Sequence, residues 1–206
     1  MITVSISREV LELNDNQSIT LHEAINLIER EGLKNNEIVT AVTIHGETIP
    51  VDLLGEFADV DLDNLGNPTL EIKNSVEIAM EALQDSNTYI DTLNAKIHEI
   101  VGFYNENNID EANANFSDLI DLIDLYIQLI SKVHRTVKNH NPTFFKNNET
   151  IRNLEIHLLS VLKALIPAKE KNDIIMLCDL LEYELVDNLA QWKIKAIPLM
   201  IESGKI

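Results

Sequence analysis

Apolar residues along this chain follow two periods, and the change falls near Asn74. Ile2, Val4 and Ile6 alternate with Thr3 and Ser5, the period of two of a half-buried strand. Residues 10–13 are placed as its hairpin partner. Thr20 followed by Glu23 forms a capping box, and Leu21, Ala24, Ile25 and Ile28 make one helical stripe that Gly32 is positioned to end. The β-branched run 38–44 reads as a strand, His45-Gly46-Glu47 as a turn, and 48–51 as the returning strand. A short helical turn is expected at 52–57. After the turn residues Asn64, Gly66, Asn67 and Pro68, residues 69–73 offer a last strand.

Beyond Asn74 the period lengthens to that of a helix. Asn74 with Glu77 opens a first helix, whose stripe is Val76, Met80, Leu83, Ile90, Leu93, Ile97, Ile100 and Val101, ending at residues 105–108. The run Asp85-Ser-Asn87 is a candidate kink. A second helix starts near Asp110 and aligns Ala112, Phe116, Leu119, Ile123, Ile127, Ile130, Val133 and Val137, with Pro142 closing it. The third starts near Asn148 and turns Ile151, Leu154, Leu158, Val161, Leu162 and Leu165 inward, with Pro167 expected to end or kink it. The fourth starts near Asn172 and carries Ile175, Leu177, Leu181, Leu185, Leu189, Trp192 and Ala196, with Pro198 disturbing its end.

The fold class is therefore α+β, with a small domain over residues 1–73 followed by an antiparallel four-helix bundle over 74–206. Helices this long joined by short connections favour antiparallel neighbours, and each stripe needs the others to be stable. In the first domain the order strand, strand, helix, strand, strand, strand resembles the ubiquitin-like β-grasp arrangement. Carriers of that kind act through a free C-terminal Gly-Gly. No Gly-Gly occurs here and the last strand runs straight into a helix, so the domain is expected to serve as a docking surface or a structural appendage.

Charge changes the picture more than bulk composition does. The chain is 206 residues long with a formal net charge of −18, which repels phosphate backbones and anionic membranes and excludes general nucleic-acid binding. Residues 1–73 hold four basic and fourteen acidic side chains, whereas residues 132–171 hold eight basic and three acidic. Lys132, Arg135, Lys138 and Lys146, with Phe144 and Phe145 beside them, form a candidate contact for an acidic peptide or anionic ligand. The competing reading is that this segment neutralises the acidic first domain, where Asp59, Asp61 and Asp63 cluster. One cysteine, Cys178, rules out an intrachain disulfide and fits a reducing, cytoplasmic compartment. The N-terminus lacks the basic and apolar regions of a secretory signal. The most apolar stretch, 116–133, is interrupted by Asp118, Asp121 and Asp124, so no membrane span is expected.

Catalytic constellations are not found. Carboxylate-bridged metal sites in bundles use Glu-x-x-His. The residues three before His22, His45, His98, His134, His140 and His157 are Ile19, Val42, Ala95, Ser131, Val137 and Leu154, none acidic. His98-Glu99 opens a zincin-like sequence, but Gly102 stands at the second histidine position. Gly-rich phosphate loops and the GxSxG nucleophile elbow are absent. The ridge Asp118, Asp121, Asp124 and the group Asp179, Glu182, Glu184 read as solvated faces, and Cys178, among Met176, Leu177, Leu180 and Leu181, as structural. No catalytic, cofactor-binding or metal-ligating residue is assigned.

The stretch Asp179-Leu-Leu-Glu-Tyr-Glu-Leu-Val-Asp-Asn-Leu-Ala-Gln-Trp-Lys193 resembles the C-terminal signature of an uncharacterised bacterial family defined by a domain of unknown function. That resemblance covers most of the chain and implies no activity. Asn108-Ile-Asp-Glu-Ala-Asn-Ala-Asn-Phe116 leading into a long helix, with a later helix pair over 149–192, is also similar to flagellin export chaperones. Those are compact bundles that hold an extended helical partner in their grooves. This chain differs in its added N-terminal domain and in lacking the family's N-terminal tyrosine motif. The expected function is a non-enzymatic adaptor or chaperone-like bundle that binds a protein partner or self-associates. The alternatives are a bundle with a metal or small-molecule site, and a structural homo-oligomer subunit.

Overall fold

In the computed structural model, residues 2–7, 9–12, 18–34, 36–145 and 149–204 are described, with only the backbone at 144 and 145. The chain divides into two compact units, Met1–Ile78 and Ala79–Ile206, so the boundary falls inside the first turn of a helix.

The first unit is a four-stranded antiparallel sheet in the order β1-β4-β2-β3, with β1 at Ile2–Ser5, β2 at Glu37–Ile44, β3 at Glu47–Pro50 and β4 at Thr69–Asn74. Helix α1, Leu21–Glu31, buries Leu21, Ala24 and Ile25. Its capping box is formed: Glu23 N–H donates to Thr20 Oγ1 at 3.2 Å and Thr20 N–H to Glu23 Oε2 at 2.9 Å. Gly32 ends it in a right-handed conformation, φ −106°, rather than the left-handed one expected of a C-terminal glycine. His45 and Gly46 both take positive φ, 52° and 88°, as the two-residue hairpin between β2 and β3 requires. The expected second strand does not form. Residues 9–12 are turns, Val10 is more than half exposed, and Leu13 lies outside the described residues. The partner that the β1 edge needs is supplied instead by β4, with Ile2 opposite Ile72 and Ser5 opposite Thr69. The order is thus strand, helix, strand, strand, strand, one strand short of the β-grasp pattern. The short 3-10 turns expected near 52–57 are present at Val51–Leu53 and Gly55–Asp59.

The second unit is a bundle of four long helices. The first is α2, Ser75–Asn105, opened by Asn74 Oδ1, which accepts from Val76 N–H at 2.8 Å. It runs unbroken through Asp85-Ser-Asn87, because fully buried Ser86 returns its hydroxyl to Ala82 O at 2.8 Å. The second is α3, Ile109–His140, followed by the short α4, Pro142–Phe145. The third is α5, Thr150–Glu170. Pro167 does not end it; the proline is exposed and sits in the last turn, where the lost bond costs one carbonyl partner only. The fourth runs from Ile174 through Gly204 as α6, Ile174–Asp179, α7, Val186–Gln191, and α8, Ile197–Gly204, joined by π-helical segments at Leu180–Leu185 and Trp192–Ala196. Pro198 lies within the first turn of α8 and does not interrupt the helix.

Cross-helix pairs set the packing. Tyr89 on α2 donates to Leu122 O on α3 at 2.8 Å, His134 on α3 meets Glu155 on α5, and His157 on α5 meets Glu184 on the last helix. Asp91 on α2 accepts from Lys193 at 2.5 Å, which closes the ring. Each neighbouring pair runs antiparallel. The apolar interior is continuous from Leu83 and Ile97 through Leu119 and Ile123 to Leu158, Leu181 and Trp192.

The leucines at 177, 181, 185 and 189 explain the π segments. A step of four residues overshoots an α turn by about 40°. Three such steps in an α-helix carry the side chain well off the core, and a π turn absorbs the extra residue. All four leucines are fully buried. Ile175, expected in this stripe, is instead 78% exposed, since it lies beyond the phase that Leu177 sets. Ile97→Ala should therefore cost about 2–4 kcal/mol of unfolding free energy, and Ile175→Ala less than about 0.5 kcal/mol, as read by urea denaturation.

Candidate interaction surface

The predicted basic segment is divided by the fold. Lys132, Arg135 and Lys138 lie on one exposed face of α3, three residues apart. His134 points elsewhere, with Nδ1 3.2 Å from Glu155 Oε1. Phe144 and Phe145 belong to the backbone of α4, and Lys146 lies outside the described residues.

Sequence reading missed the groove between α3 and α5. A cavity of about 440 Å³ lies there, walled by Phe116, Ile120, Ile123 and Ile127 from α3 and by Leu162, Leu165 and Ile166 from α5. It adjoins a second cavity of about 260 Å³ that shares Ile127 and reaches Ile130, Leu158, Leu159 and Trp192. Leu159 and Ile166 are half exposed along the α5 lip. The signal was an excess of apolar positions. Ile120 on α3, and Ile156, Leu159 and Ile166 on α5, fall outside the single stripe needed for the core.

One end of the groove holds Lys169. Its ammonium donates to Tyr104 Oη at 3.1 Å and to Asn113 Oδ1, and lies 5.0 Å from the Phe116 ring centroid and 5.8 Å from that of Tyr104. Burial lowers its pKa. Asp124, Glu155 and Glu170 stand along the same two cavities.

Below the groove lies an aromatic centre. Tyr89 and Tyr126 stack at 6.0 Å, and Tyr126 meets Trp192 edge-on at 6.2 Å. Burial pushes the Tyr126 phenol above its ordinary pKa, so it stays neutral. Tyr126 Oη and Trp192 Nε1 are buried with no hydrogen-bond partner among the described residues. Fully buried Asn188 donates to Leu154 O at 3.2 Å and lies 2.9 Å from His157 Nδ1, whose other nitrogen faces Glu184 at 3.2 Å. The π turns place Glu184, Asn188 and Trp192 on the α5 and α3 sides of the last helix.

The remaining candidates are structural. Burial, then the carboxylates of Glu182 and Asp179, push the Cys178 thiol up, which keeps it un-ionised. Asp118, Asp121 and Asp124 are exposed; Lys96 lies 3.9 Å from Asp118, and Gln128 donates to Asp124 at 2.6 Å. Among the described residues no group of three His, Cys, Asp or Glu is placed to hold a metal ion, and no helix is long and apolar enough to cross a membrane.

This bundle defines the class to which the chain belongs. The chain is a member of the family matched by the model "Domain of unknown function (DUF8042)", which covers residues 81–195, more than half its length. The match takes in almost all of the bundle, including both π turns and the Asp179–Lys193 signature. No curated protein and no solved structure matches the chain.

The aromatic centre carries a test. Tyr126→Phe removes an unpartnered buried hydroxyl and should be neutral or stabilising by up to about 1 kcal/mol. Tyr89→Phe loses the bond to Leu122 and should cost about 0.5–1.5 kcal/mol. Paired urea titrations decide this.

Proposed function

We propose that this protein is a non-enzymatic, cytoplasmic interaction module whose bundle holds an amphipathic helix of a partner protein in the α3/α5 groove. The observation that carries this reading is the groove itself. Its walls run over residues 116–131 of α3 and 155–170 of α5, about 22 Å of helix, or four turns. That is the length over which a bound helix presents apolar side chains at i, i+3, i+4 and i+7.

The lips describe the partner. Asp124, Glu155 and Glu170 call for basic residues flanking its apolar stripe. The net charge of −18 steers a basic partner toward the chain and raises the encounter rate more than the affinity. Lys132, Arg135 and Lys138 offer a separate contact to an acidic segment of the same partner. A single half-buried thiol fits a reducing compartment.

A photo-crosslinking residue placed at Ile166 should capture a discrete protein adduct in cells. The double variant Ile120→Asp, Leu162→Asp puts carboxylates on the groove floor and should abolish that adduct while circular dichroism stays helical. An adduct that survives the floor variant overturns the reading. So does a groove occupied only by a small molecule in native mass spectrometry.

A further inference from the structure

We infer that the outer face of α5 is a self-association surface, on which a second copy of this chain docks through its own α5 in antiparallel orientation. Arg152, Ile156, Leu159, Lys163, Ile166 and Glu170 are all exposed. They succeed one another at alternating steps of four and three residues, the spacing of a coiled-coil seam. Scattered surface leucines and isoleucines are ordinary. A seam spacing kept through six consecutive positions, on a helix whose opposite face is already buried by Ile151, Leu158, Val161 and Leu165, is a second packing face.

The seam is complementary to its own reverse. With a two-fold axis at the level of Val161, Arg152 meets Glu170 of the second copy, Ile156 meets Ile166, and Leu159 meets Lys163. Every pair is repeated by the symmetry, as an isologous interface requires. A parallel pairing would set Arg152 against Arg152 and Glu170 against Glu170, so the charges select the antiparallel orientation. Among the described residues neither Arg152 nor Glu170 has an intrachain ion-pair partner. Lys163 lays its aliphatic stem along the facing leucine while its ammonium reaches water. A polar seam residue of this kind fixes register at some loss of affinity.

The net charge bears on where two copies can meet. Each carries −18, and like-charged surfaces repel. Helix α5 has Arg152, Lys163 and Lys169 against Glu155 and Glu170, a nearly balanced strip on an acidic molecule. Repulsion between copies is smallest along such a strip.

The seam shares Leu159, Ile166 and Glu170 with the proposed partner groove, and the two ideas fail separately. Sedimentation equilibrium of the full chain, at about 0.15 M salt and from ~1 µM to ~1 mM, spans the range of weak association. The mass should rise from 23.3 kDa toward twice that value. Arg152→Glu should weaken association at least about tenfold, as should Glu170→Arg, and the double variant Arg152→Glu, Glu170→Arg should restore it to within about threefold. Ile166→Lys should leave a monomer. All four residues are exposed, so each variant keeps the native helical circular dichroism. A monomer throughout the range overturns the inference, as does a dimer indifferent to Arg152→Glu or one that the double charge exchange fails to restore. A dimer that ignores these charges leaves the groove reading intact. Loss of the Ile166 adduct in the floor variant leaves the seam intact.

Discussion

Trp192 sits fully buried at the centre of the bundle, edge-on to Tyr126, which stacks on Tyr89, so three of the four long helices meet at one aromatic point. With only 5% aromatic residues, the rest of the interior is built from Leu, Ile, Val and Ala. Aliphatic side chains fill space without choosing an orientation, and a core made of them alone specifies packing loosely. The aromatic centre supplies that choice. It fixes the rotation of α2, α3 and the last helix relative to one another, and the hydrogen bond from Tyr89 to Leu122 fixes their relative height.

The last helix carries the consequence. To keep Leu177, Leu181, Leu185, Leu189 and Trp192 all inward, the helix leaves the α conformation twice. Those two departures turn Glu184 and Asn188 toward α5, where Asn188 engages Leu154 O and His157. One buried polar contact and one aromatic contact therefore depend on the same backbone adjustment. The groove follows from the opposite circumstance. Helix α5 packs closely along the last helix, while Phe116 and Ile120 of α3 and Leu162 and Ile166 of α5 enclose open space.

Much of the bundle was legible because its stripes are long and nearly pure, so one misplaced residue such as Ile175 does not hide the period. Capping at Thr20 and Asn74 and the turn at His45-Gly46 were legible because short-range hydrogen bonds and positive φ values restrict which residues serve there. The proline effects were misjudged. Near the end of a helix the missing N–H costs little, and neither Pro167 nor Pro198 interrupts its helix. The second strand was misjudged because 10–13 has apolar residues but no alternation, and pairing is settled by the distant β4. The groove was hidden for a different reason. A periodicity argument asks which face is buried, and an extra apolar lip on the α5 face passes for a broad stripe. The basic segment was identified by charge alone, which says nothing of direction; α3 displays Lys132, Arg135 and Lys138 while His134 turns toward Glu155.

Each π turn is in effect a one-residue insertion held within a helix. Loss of one residue from Leu180–Leu185 can be absorbed by reverting that turn to α geometry, with the backbone bonds still paired. Everything beyond it then turns by about 100° and retreats by about 1.5 Å. Asn188, Leu189, Trp192 and Ala196 would leave the interior together, and Met200 with them. The spacing between the leucine ladder and Trp192 thus works as a ruler: chain length here is as constrained as residue identity, and substitutions are tolerated more readily than deletions.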